Sequence, residues 1–140
     1  MSRARAYLTL SAVPTAPDVG LLLLRLWLGA SMCTLHGMGK VARLQADPVR
    51  FADPFGFGPE ASLLLATMAE AGASVLLALG LGTRWAALAL SVTMATAFVF
   101  AHGMALSGEQ SGELPFVYAG GFVAVLVMGP GRYSVDARLR

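Results

Sequence analysis

Four apolar runs, at about residues 19–36, 60–81, 85–102 and 114–129, take up most of this chain and constrain its fold more than any other feature. A helix that crosses the hydrocarbon core of a bilayer needs about 20 apolar residues, with a workable range of about 17–25. The first three runs reach that length. The fourth is shorter, but Pro115 suits a first helical turn and Gly129-Pro130-Gly131 supplies a stop. Of 140 residues, 56% are hydrophobic and only 13% charged, against about 25% charged in a soluble domain. Too few polar side chains remain to cover a water-facing globule, so lipid is the expected solvent. The expected fold is all-α: an integral membrane four-helix bundle of two helical hairpins over 19–131, with cytoplasmic tails at 1–18 and 132–140.

Composition also excludes several classes. A net charge of +2 is too small for a nucleic-acid footprint. Cys33 is the single cysteine, so the chain has neither an intrachain disulfide nor a Cys-x-x-Cys motif. No sustained apolar stretch precedes Pro14 and Pro17, so no cleaved signal peptide is expected. With four spans, Arg3, Arg5, Arg84, Arg132, Arg138 and Arg140 share one side, and Lys40, Arg43 and Arg50 the other. That asymmetry favours cytoplasmic termini.

The separators read as loops. "GLGT" at 80–83 is a tight turn that makes the second and third helices antiparallel neighbours. The long 37–59 segment could cap a bundle, with Phe55 and Phe57 dipping into the interface. A short repeat is visible in "LHGMGK" and "AHGMAL": two apolar runs each stop at His-Gly-Met. If Gly37 and Gly103 end two helices at equal depth, then His36, Glu60, His102 and Glu113 share one rim.

Two opposite charges lie within apolar runs, Arg25 in the first and Glu70 in the second. On antiparallel helices their depths differ by only about 5 Å. A charge at mid-bilayer costs about 2.5–3.5 kcal/mol on insertion scales, so an Arg25–Glu70 ion pair is expected, either as a structural lock or as part of a proton relay. Arg25, Gly29, Met32 and His36 share one face of a straight helix.

Several chemistries fit these residues. A haem held by His36 and His102 ranks low, because both sit at the rim and form a single pair. A metal held by the histidines and a rim glutamate has suitable ligand types but no specifying spacing. A quinone fits better. It partitions into lipid and carries two carbonyls, each needing a nearby donor or proton source. His102, His36 and Glu113 are the candidate proton-handling residues, with Tyr118, Lys40, Phe98 and Trp27 as candidate binding residues. A proton-coupled transporter built on Glu70 and a non-catalytic anchor or assembly subunit are the competing classes.

At this point the residues resemble a known family. "LLLLRLWLGASMCTLHGMGK", "MAEAGASVLLALGLGTRWAAL", "FAHG" and "GELPFVYAGGFVAVLVMGPGRYSVD", in that order over about 19–136, resemble the DoxX-like membrane proteins. The resemblance implies a four-helix protein of the bacterial inner membrane. It also implies that Arg25, His36, Lys40, Glu70, Arg84, His102, Glu113 and Tyr118 occupy the family's polar positions. Family members are associated with membrane redox systems, including a thiosulfate–quinone oxidoreductase subunit. Relatives that work through cysteine pairs are a poor guide here, since this chain has only Cys33. It carries no flavin, iron–sulfur or thiol motif either, so a complete oxidoreductase would require a partner oxidoreductase or a bound cofactor. Homo-oligomers are a further expectation from the Gly and Ala stripes.

Overall fold

The first helix, α1, starts at Pro17, whose fixed φ suits a first helical turn, with Asp18 beside the positive end of the helix dipole. The structure, a computed structural model, describes residues 15–139. Residues 1–14 and 140 lie outside the described residues, and with them most of the expected N-terminal tail, including Arg3 and Arg5. α1 runs without a break from Pro17 to Arg43. The remaining elements are α2 (Pro59–Leu79), α3 (Thr83–Ala101), α4 (Glu113–Met128) and α5 (Val135–Arg138). Among the described residues all regular structure is helical. α1, α2 and α3 are long and apolar enough to cross a membrane, and α4 is a shorter apolar helix.

The two His-Gly-Met motifs part company. Gly103, at φ +55°, does follow the end of α3. Gly37 does not stop α1: it is buried mid-helix at φ −64° and the helix continues for six more residues. Its role is close approach. A Cβ at Gly37 would lie 2.7 Å from both Ala71 Cα and Glu70 O on α2. Gly29 does the same higher up, where a Cβ would lie 2.6 Å from Ser74 O. These contacts set an antiparallel register in which residue 29 faces 74–78 and residue 37 faces 70–71.

That register overturns the expected Arg25–Glu70 pair. Arg25 lies two turns from the level of Glu70, beside the end of α2. Its fully buried guanidinium donates to the carbonyls of Leu77 (3.3 Å), Ala78 (3.4 Å) and Tyr133 (2.7 Å). The first two belong to the last turn of α2, whose carbonyls have no partner within the helix. Arg25 therefore caps α2 and fastens the C-terminal segment to it. Asp136 completes the tie by accepting the N–H groups of Gly82 (2.7 Å) and Thr83 (2.9 Å), the latter opening α3.

The buried core joins α1 (Leu28, Met32), α2 (Leu77), α3 (Ala87, Leu90) and α4 (Phe122, Val125). Leu23, Leu26, Leu64, Leu65, Leu79 and both tryptophans face outward. Trp27 and Trp85 are 77% and 78% exposed, an arrangement that buries them only against lipid. Three of the helices contain a π-helical turn: Cys33–Gly37 in α1, Met68–Ala73 in α2 and Ala97–Ala101 at the end of α3. Such turns are uncommon and gather at functional positions.

Candidate functional site

His36 lies in the π turn of α1, Glu70 in that of α2, and His102 directly follows that of α3. Three independent irregularities thus converge on the ionisable residues. Glu70, buried to 4% exposure, pairs with Lys40 rather than with Arg25. The register explains the choice: once Gly37 seats against Glu70 and Ala71, Lys40 is the next residue of α1 able to reach the carboxylate.

Two cavities meet at this pair. The larger, about 530 Å³, is mainly apolar. The residues of its wall that matter most are Phe51, Phe55, Phe57 and Phe100, with Lys40, Glu70 and His102 at its polar end. The Phe55 ring sits 5.9 Å from Phe57 and 5.7 Å from Phe100, linking the 44–58 loop to α3. Asp53 fastens that loop by accepting the N–H groups of Phe57 (3.0 Å) and Gly58 (2.8 Å) and the Ser62 hydroxyl (2.7 Å). Those hydrogen bonds, from Ser62 above all, hold the Asp53 carboxyl below the usual carboxylate range.

The smaller cavity, about 280 Å³, is more polar. His36, Lys40, Glu70, His102, Ser111 and Tyr118 all line it. Lys40, Glu70, Ala97 and His102 border both cavities. The Nδ1 of His102 lies 3.0 Å from the Gln110 carbonyl. A carbonyl only accepts, so Nδ1 carries the hydrogen, and Nε2 is left to exchange a proton. His36 meets the Tyr118 ring edge-on at 5.8 Å. The Tyr118 hydroxyl donates to Ser31 Oγ (2.9 Å), which donates on to the Trp27 carbonyl (2.6 Å).

Of the residues singled out in the sequence, His36, His102, Lys40 and Tyr118 come together around Glu70. Three others do not. Glu113 is exposed in the first turn of α4, where the helix dipole suits a carboxylate, and it borders neither cavity. Phe98 packs on Phe116 at 5.5 Å, away from both cavity walls. Trp27 points outward and offers the site only its backbone carbonyl. Of the expected grouping of His36, His102 and Glu113, the two histidines line the smaller cavity and the carboxylate beside them there is Glu70, not Glu113. Sequence reasoning missed Phe51 and Phe100 as groove residues and Asp53 as the fastener of the loop. The run "ADPFGFGP" held the signal for Asp53, since an Asp before a glycine-rich turn accepts its backbone N–H groups. Among the described residues no three His, Cys, Asp or Glu side chains gather as a metal-ligand set.

Comparison with known proteins gives two matches. The family model described as DoxX matches residues 20–103. An uncharacterised protein of Haemophilus influenzae is 35% identical over 113 residues, which covers 76% of this chain and 81% of that protein. No solved structure matches the chain.

Proposed function

The chain belongs to the DoxX family of membrane proteins, and from that membership we propose that it is a quinone-binding redox subunit that exchanges electrons with a partner oxidoreductase. In this reading α1 to α4 all span the bacterial inner membrane, as a four-helix bundle of two hairpins with cytoplasmic termini. The observation that carries it is the meeting of an apolar, phenylalanine-walled groove with Lys40, Glu70 and His102 at one end.

The residues present fit such a ligand. A quinone is a flat ring with two hydrogen-bond-accepting oxygens and an apolar tail. The groove volume of about 530 Å³ falls within the usual range for small-molecule sites. Phe55, Phe57 and Phe100 would flank the ring. Lys40 would donate to one oxygen, and His102 would give or take a proton at Nε2 while Gln110 holds its orientation. Glu70 would keep Lys40 charged within an environment that disfavours charge. When bound, the quinone supplies two-electron redox chemistry that no side chain of this protein supplies.

The test is an oxidised-minus-reduced ultraviolet spectrum of gently solubilised protein, paired with organic extraction of its bound lipids. Wild-type protein should retain a quinone band that is lost on Phe100→Ala and on His102→Ala at equal protein concentration. Turnover with a partner enzyme should fail for His102→Ala while membrane insertion is unchanged. A featureless spectrum from wild type in native lipid sinks the quinone assignment.

A further inference from the structure

The smaller cavity is not needed to hold a quinone, yet it is the more polar of the two. It is a half-open pocket whose inner wall includes buried Met94 on α3 and Tyr118 on α4. Among the described residues His36 faces it with no hydrogen-bond partner on either ring nitrogen, and His102 faces it with no partner on Nε2. Polar atoms lining a pocket without protein partners are satisfied by water, and a site holds ordered water when it has room and several polar partners. A volume of about 280 Å³ is many times the ~10–15 Å³ that one water requires.

We propose that this cavity is a hydrated proton chamber, in which water connects His36 and His102 to the Lys40–Glu70 pair. His102 stands half-exposed at the end of α3 and opens the chamber towards bulk water. Glu70 and Lys40 form the partition shared with the larger groove. A proton entering at His102 Nε2 therefore reaches the polar end of the groove without crossing its phenylalanine wall. All four groups exchange protons with water alone, so the step involves no change of oxidation state. Tyr118 is the titratable side chain that α4 turns towards His36, while Glu113 on the same helix borders neither cavity. Imidazole is the side chain suited to such exchange near neutral pH. The purpose of the protons, supply to a ligand in the groove, rests on the quinone reading. The hydration and the coupling do not.

Hydroxyl-radical footprinting of the full chain in lipid nanodiscs tests the hydration without any variant. Radicals made in trapped water label adjacent side chains, however buried. Met94, 5% exposed and beside the chamber, and Met32, fully buried away from it, form an internal pair. Met94 should be oxidised at least about tenfold faster than Met32 if water stands against it. Equal, slow oxidation of both means a dry cavity and overturns the proposal. The coupling is read by ¹⁵N-histidine NMR, since the chain has just two histidines. At one fixed neutral pH, Glu70→Gln should move the ring ¹⁵N resonances of both histidines, because water links the rings to the altered pair. Resonances that do not move overturn the connection to the pair. Loss of the quinone band with both results intact would instead leave the chamber standing and remove its assigned purpose.

Discussion

At the scale of residues, the decisive contact is the one between Lys40 and Glu70. Removing one member of a buried pair strands the other charge, at a cost of about 3–5 kcal/mol. Lys40→Met should therefore lower the unfolding free energy in detergent by that amount, and the exchanged pair Lys40→Glu with Glu70→Lys should recover part of it. Exchanging Arg25 with Glu70 should recover nothing, because Arg25 binds backbone carbonyls that a carboxylate cannot replace. The sequence made both charges conspicuous but named the wrong partner. Counting depth from helix ends assumes that two helices start level. Here Gly29 and Gly37 slide α1 against α2 until Lys40 meets the glutamate.

Asp53 supports a prediction in pH. Its folded pKa is depressed by the bonds from Ser62, Gly58 and Phe57, so its hold on the loop is complete above the usual carboxylate range. That hold is lost as pH falls through the lowered value. Amide exchange at Phe57 and Gly58 should be several-fold faster in Asp53→Asn than in wild type at neutral pH. In acid, below the depressed value, the two proteins should exchange alike. A difference that persists there would mean that the carboxylate does not hold the loop.

At the scale of elements, the helices themselves were legible, since apolar length and Pro or Gly punctuation carry most of that signal. The interior of α1 was not. A His-Gly step looks like a helix end because glycine so often terminates helices. At residue 37 it instead marks the place where two backbones touch. Nothing local distinguishes the two uses; only the approach of α2 does. The π turns escaped for a related reason. Each shifts the helical phase in a way that a wheel drawn for a straight helix does not show, and Lys40, one turn beyond His36, drops out of α1 once the helix is taken to end at Gly37. Two neighbouring glycines test this reading. Gly37→Ala forces a Cβ against Ala71 and Glu70 and should cost about 1–3 kcal/mol. Gly39→Ala meets open space in the same helix and should gain about 0.5–1 kcal/mol. Thermal unfolding in one detergent compares the two directly, and equal effects would mean that α1 and α2 do not approach at residue 37.

Taken whole, the molecule presents many large apolar side chains outward around its core, and family membership was readable from ordered fragments spread along the sequence. The groove was less readable because its wall is assembled from the 44–58 loop and α3, segments about forty residues apart that only the fold brings together. The outward faces carry a direct expectation. Trp27 and Trp85 are the chain's two tryptophans and both are largely exposed. In bilayers of brominated lipid their fluorescence should fall by more than about half, as for rings lying against acyl chains. Fluorescence as strong as in unlabelled lipid would show those faces covered by protein.

The helices are also unequal in length. At 27 residues α1 is about 40 Å long, whereas α4, with 16 residues, is about 24 Å. In the proposed four-span reading, a hydrocarbon core of about 30 Å is overshot by one and undershot by the other. The long helix meets such a mismatch by tilting, and lipid beside the short one thins. Longer acyl chains therefore strain the protein unevenly, pulling hardest on the helix that holds Tyr118 against His36. Membrane thickness, set by the lipids a cell makes, becomes a mechanical input to the geometry of the site.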